Sequence, residues 1–320
     1  MHRFTTEPMS QVFQAVSAAL DQCPVGECVS FEAIDPDIRT DRHDGERVST
    51  THGDCLYRSH LAWMNLAETL HCTYRTPVKT TDGFLRFSFR KSDQDRAWHR
   101  QSAPSGTTEK YGVDSGFFRL HRFEDANLLQ AFHSALAFLA LPADARILGL
   151  GVNRADEFEA IAQYVGTQAA KGFQWTGIDH SPSALAVAAD RFSHLKATFH
   201  QADLMDMDAL SLGRFDLVLA INTLHSPHLD GHRLLRTLTK THLTKKGGFI
   251  IGFPNCRYVD HGLRYGPKVK NYRDPEYSVL LKDIAAYRRY LHQQGFQVKV
   301  TGKYTLLLSA RPIATVETPG

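Results

Sequence analysis

The sequence predicts an α/β protein built on a mostly parallel sheet, with a smaller α+β domain in front of it. Three observations carry this. From about residue 126 onward, apolar strand-like runs alternate with amphipathic helical runs, the pattern of a parallel sheet covered by helices. The chain closes on two β-rich runs, "FQVKV" and "YTLLLSA", separated only by "TGK", which predicts an antiparallel hairpin at the sheet edge. Between the halves lies "RQSAPSGTTEKYG", rich in Ser, Thr, Gly and Pro. The expected organisation is an accessory domain over 1–100, a linker and lid over 101–125, and the sheet domain over 126–320.

Taken in order, "SQVFQAVSAAL" and "LYRSHLAWMNLAETL" have helical periodicity, and "GFLRFSFRK" alternates as a strand does. The polar run "DPDIRTDRHDGERVSTTHGD" reads as a long loop. After the linker, "DANLLQAFHSALAFLAL" is a helix with a wide apolar face. "RILGLG", "FQWTGID", "ATFHQAD", "FDLVLAIN" and "KKGGFIIGF" are strands. The helices between them include "SPSALAVAADRF", for which Ser181 is the expected N-cap and Pro182 the first-turn residue.

Composition bounds the function. The chain has 320 residues, 42% hydrophobic and 22% charged, with a formal charge of +3. No apolar run reaches the ~18 residues of a membrane span, and the N-terminus lacks the apolar core of a secretory signal. The five cysteines fit reduced thiols and a cytoplasmic setting. Cys23 and Cys28 lack a second pair at ligand spacing, so no metal site is expected. Basic residues are unevenly spread. Arg86 to Arg122 holds eight Lys and Arg against four acids, and Arg257 to Arg273 holds five against one. These stretches suit either ordinary solvated surface or an anionic partner.

In parallel sheets, ligands bind beyond the carboxyl ends of the strands. The residues there are Gly149, Gly151 and Asn153 after the first strand, Asp179 after the second and Asp203 after the third. Asn222 follows the fourth and Asn255 the fifth. Glycine permits close backbone approach, a carboxylate can accept both hydroxyls of a ribose, and an amide both donates and accepts.

This order resembles the class I S-adenosylmethionine (SAM)-dependent methyltransferases, whose Rossmann-like sheet ends in the same hairpin. "ILGLGVNRADE" stands at their glycine-rich loop, "GIDHSPSAL" at their ribose motif and "HQADLMDMD" at their adenine motif. "FDLVLAINTLH" and "LTKKGGFIIGFP" resemble their fourth and fifth strands. The resemblance implies SAM as cofactor, with Gly149, Gly151 and Asn153 facing its methionine part. Asp179 and His180 would lie at the ribose, Asp203 and Leu204 at the adenine, and Asn222 beside the sulfonium. The family's acid at the position of Gly149 is missing, and Asp156 or Glu157 is placed to replace it. A nicotinamide dehydrogenase fits poorly, because Arg154 stands at the last glycine of its fingerprint.

Methyl transfer demands positioning and sometimes removal of a proton. His225 is the expected base, with Asn222 beside it. His228 and His232 follow, but Pro227 and Gly231 argue against a rigid metal-binding helix. The long segment Phe253 to Ser278 interleaves cations with aromatics. It supplies Asn255, Arg257, Tyr258, Tyr265 and Lys270 as acceptor-binding candidates, joined by Tyr111 and Arg119 from the lid. The acceptor is RNA or another polyanion on this reading. A small-molecule N-, O- or S-methyltransferase and a non-catalytic SAM-binding protein are the alternatives.

Overall fold

A computed structural model describes residues 1–38, 41–81, 83–96, 108–226, 228–260, 262–267 and 275–313. The chain divides into two compact units. One is Met1–Gln101 with Tyr258–Arg264; the other is Ser102–Arg257 with Tyr265–Gly320.

In the first unit, β1 (His2–Arg3), β2 (Cys28–Ile34), β5 (Cys72–Lys79) and β6 (Phe84–Lys91) form a sheet in the order β1-β2-β6-β5. Alternation along β2 and β6 turns Phe31, Ala33, Leu85, Phe87 and Phe89 to one face. There they pack on Val12, Val16 and Leu20 of α1 (Met9–Asp21) and on Trp63 and Leu66 of α2 (His60–Thr69). The helix expected from Leu56 starts only at His60, where the Ser59 hydroxyl accepts from Ala62 N. The polar run read as loop contains a two-stranded ribbon, β3 (Arg47–Thr50) and β4 (Gly53–Leu56). Residues 258–264 join this unit through Asp260, whose carboxylate meets Arg90 at 2.9 Å, and through Arg264, which donates to Ser92 at 2.6 Å.

The second unit opens with α3 (Ala126–Leu139), capped by Asp125. The strands follow: β7 (Arg146–Leu150), β8 (Gln174–Asp179), β9 (Ala197–Gln201), β10 (Phe215–Ile221) and β11 (Leu243–Pro254). The ribbon strands β12 (Cys256–Val259) and β13 (Gly262–Tyr265) lie within the segment read as a polar loop. The closing strands are β14 (Phe296–Gly302) and β15 (Thr305–Pro312). The seven-stranded sheet has the order β14-β15-β11-β10-β7-β8-β9, parallel from β11 to β9. β15 and β14 run antiparallel as the expected hairpin.

Both faces are covered. Ile147, Leu217, Leu219 and Ile221 point to a cluster with α3, α4 (Asp156–Val165) and α6 (Pro182–Arg191). Leu148, Val218, Ala220 and Ile251 point to the other cluster, with α7 (Gly231–Thr237) and α8 (Ser278–Gln293). The short helix α5 (Thr167–Ala170) lies between α4 and β8. A strand buried on both sides reads as a continuous apolar run, which is why β7 and β10 stand out in the sequence. Strand order reverses between β7 and β10, so the crevice at their carboxyl ends is the expected ligand site. No helix among the described residues is long and apolar enough to cross a membrane.

Candidate active site

The turn after β7 keeps the path of a glycine loop without its glycines. Gly151, Asn153 and Ala155 all take left-handed backbone, with φ of 65°, 49° and 63°. Asparagine tolerates this region; alanine there costs about 1–2 kcal/mol. Gly151 is needed for a second reason, because a Cβ at that position would lie 2.7 Å from the Thr223 hydroxyl. An acid cannot occupy position 149. Its Cβ would come within 2.4 Å of Val152 and 2.9 Å of the Phe158 ring.

The loop's amides face inward. Gly151 N and Val152 N donate to Ile178 O, Ala155 N donates to Val152 O, and Asn153 N donates to the Asp179 carboxylate at 2.8 Å. The Gly151, Val152 and Asn153 amides are thus already occupied, which disfavours a pyrophosphate at this turn. SAM carries no phosphate and makes no such demand on the loop. Asp179 is 5% exposed, and its second oxygen accepts from Ser181 N at 2.9 Å. It therefore locks β7 to β8 while keeping lone pairs for a diol. His180 stands beside it, with Nδ1 at 3.5 Å.

Asp156 does not turn toward the loop. Its carboxylate is taken by Arg154 at 3.0 Å and Arg191 at 2.8 Å. Arg154 itself lies over the Phe118 ring and donates to Leu120 O. His121, Asp156 and Glu159 come within 4.8 Å of one another, but Arg154 and Arg191 already balance the two carboxylates. Glu157 is the acid on the crevice side. Burial pushes its carboxyl up to about 7, against the pull of Arg122 and with Asp156 and Asp179 adding to the rise.

Asp203 is exposed and caps the short 3₁₀ turn Leu204–Leu210, accepting from Met205 N at 2.8 Å. The Leu204 side chain is in the core at 7% exposure, so only its backbone is available to a ligand.

The segment before α3 lies across the loop. Asn153 Nδ2 donates to Tyr111 O at 2.7 Å. The Tyr111 ring sits edge-on to Phe117 and to His180. Glu109 accepts from Ser181 Oγ and Ser183 N, and the Ser183 hydroxyl holds its carboxyl below the usual range. Arg119 is exposed.

On the other side, Arg122 enters the crevice from a 3₁₀ turn. It donates to Thr305 Oγ1 at 3.3 Å, and with the Asn222 amide oxygen facing it, to Asn222 as well. Asn222 ends β10 in left-handed backbone, φ 57°. Surrounding protein, then the Arg122 charge, lower His225 to about 4, although one side of the residue stays open. Burial raises the Cys256 thiol to about 11. Asn255 is 3% exposed; its amide donates to Lys303 O, and its Oδ1 has no partner among the described residues.

Beside this lies an aromatic group. Tyr265 is 5.9 Å from the Tyr304 ring and 6.4 Å from the Tyr277 ring. Lys303 covers Tyr304, and Arg257 donates to Tyr265 O. Tyr258 falls in the first unit, and Lys270 lies outside the described residues. His228 and His232 are exposed, and the His232 ring sits edge-on to Tyr287. Glu109 was not singled out by sequence spacing, and Arg122 stood only, with His121, among the cations of a lid segment that precedes the sheet.

Residues 147–248 match the family model described as a methyltransferase domain. Among solved structures, magnesium protoporphyrin IX methyltransferase from Synechocystis, with bound SAM, is 18% identical over 67% of this chain and 100% of its own, at a TM-score of 0.42. A methyltransferase in complex with the Trm112 activator of Haloferax volcanii is 17% identical, covering 66% of this chain and 100% of its own, at 0.44. A search of curated proteins gives no match. The sheet and its strand-end crevice, with the match over 147–248, define a class I methyltransferase domain. The chain thus carries a methyltransferase domain over residues 147–248.

Proposed function

We propose that the enzyme methylates RNA, holding an anionic group of the acceptor on Arg122. The observation that carries this reading is the Tyr265–Tyr304–Tyr277 group with Lys303 and Arg257, next to the Arg122–Asn222 pair. Aromatic faces flanked by cations suit stacked bases and their phosphates. A small aliphatic carboxylate would use Arg122 and leave the aromatic group idle.

The bound cofactor supplies an electrophilic methyl on a sulfonium. Asp179 accepts the ribose hydroxyls and keeps the loop closed through Asn153 and Ser181. Glu157, when ionised, would pair with the methionine ammonium and take the part of the acid missing at Gly149. Asn222 and Arg122 orient the acceptor. His225 stays neutral at physiological pH and is a weak base, because its imidazolium is disfavoured by the surrounding protein and by Arg122. It accepts a hydrogen bond and orients the nucleophile. An acceptor atom with a free lone pair, such as a ring nitrogen, suits this better than a hydroxyl that must first lose its proton. The five free cysteines support a reducing, cytoplasmic setting.

The test is transfer of labelled methyl from SAM into fractionated cell extract. Label lost on nuclease digestion is expected; label that survives in the small-molecule fraction would refute the RNA reading.

A further inference from the structure

Away from the cofactor crevice, α7 and α8 leave a groove of about 380 Å³ with an apolar floor of Leu235 and Ala286 and a polar rim of His232, Arg236, Arg289, Tyr290 and Gln293. The two helices carry five Lys and Arg against one acid, Asp283. Surface helices ordinarily pair such cations with an acid one turn away. Arg236, Arg288 and Arg289 have no acid three or four residues distant, and none forms an ion pair with a described residue. The Tyr290 hydroxyl is also buried without a partner among the described residues. Guanidinium, phenol, amide and imidazole groups therefore rim one concave surface as potential donors, with no acid among them.

We propose that this groove is a phosphate-binding site that holds backbone phosphates of the RNA acceptor outside the methyl-transfer pocket. The inference rests on the RNA reading above for its partner, while the donors themselves specify the chemistry. A carboxylate offers two oxygens; a phosphodiester within a strand offers successive charged groups that Arg236 and Arg289 can each engage through paired N–H donors. On the other side of Arg289 the groove continues past Arg288 and His292 over Leu281 and Ile284, so the cationic rim extends along α8. The groove is also tied to the active site. Tyr287 of α8 donates to Leu224 O, between Asn222 and His225, and α7 begins where that loop ends. Tyr287, about one helical turn before Tyr290, thus joins α8 to the loop at the carboxyl edge of β10.

The experiment is fluorescence anisotropy of a labelled 20-nucleotide single-stranded RNA across a salt series, on the full chain and on Arg236→Gln/Arg289→Gln. The double variant is expected to bind about 10-fold more weakly near 0.1 M salt and to lose roughly 1.4 from the log–log salt slope. Its SAM affinity should be unchanged, which also reports that it is folded. Unchanged RNA affinity and slope would overturn the proposal. So would equal competition by polyglutamate, which would mark an acidic-protein surface. Inorganic phosphate or a mononucleotide binding as tightly as the 20-mer would overturn the RNA source. RNA that binds the groove but takes no label in the transfer assay would refute the acceptor reading and leave the groove standing.

Discussion

The two sides of the crevice are built differently. On the β7–β8 side, polar groups satisfy one another: Asp179 holds two backbone amides, and the loop amides are spent on Ile178 O. On the β10–β15 side, charge is left in tension. Arg122 lies between His225 and Cys256 on this side and Glu157 of the cofactor side, and each of these groups is displaced from its ordinary protonation range. The first side is preorganised for a ligand that is always the same. The second is poised for charge brought by an acceptor. A low-dielectric pocket makes unpaired charge costly, so such tension persists where a ligand relieves it.

The sharpest way to break this contrast is on the cofactor side. Asp179→Ala removes two charge-assisted hydrogen bonds and the proposed ribose acceptor, each bond worth about 1.5–3 kcal/mol. SAM affinity by calorimetry should fall about 100-fold or more. A change under 5-fold would mean the carboxylate is only a structural staple.

Glu157 gives the next effect, and its sign is set by pH. Between its ordinary value of 4.5 and about 7, the unfolded chain has released a proton that the folded chain keeps. Folded stability therefore falls as pH rises through that window, by on the order of 1–2 kcal/mol after screening. Glu157→Gln should melt higher than the parent at pH 8 and lose that pH dependence. It should also weaken SAM, because the ammonium needs the ionised form. Parent SAM affinity should rise from pH 6 to pH 8 while the variant's stays flat. A parent that shows no such rise would remove Glu157 from the methionine site.

The smallest effect belongs to the lid. Asn153→Gly keeps the left-handed turn but deletes the bond to Tyr111 O. Melting temperature should move little, while residues 108–118 exchange amide hydrogen several-fold faster. Unchanged exchange would show that Glu109 alone fastens the lid.

What could be read from the sequence follows the same division. β7, β8 and β10 are buried on both faces, so their apolar runs and terminal polar residues are visible without coordinates. Asn153 and Ala155 hid the loop's geometry, because neither residue type announces left-handed backbone. Asp156 and Glu157 are adjacent and equivalent in sequence; only helix phase sends one to Arg191 and the other to the crevice. Arg122 and Thr305 are far apart in the chain, and the sheet order brings them together. The cations of α8 were overlooked because they sit within an ordinary amphipathic pattern.

The account stands most directly on Arg122→Gln, measured with SAM calorimetry, methyl transfer to RNA and an NMR titration of His225. SAM affinity should hold within about 3-fold, transfer should fall at least 30-fold, the loss of one charge-assisted contact of about 2 kcal/mol or more, and the His225 pKa should rise from about 4. Loss of SAM binding together with transfer would place Arg122 on the cofactor side and contradict the division of the crevice. Undiminished transfer would contradict its role in holding the acceptor.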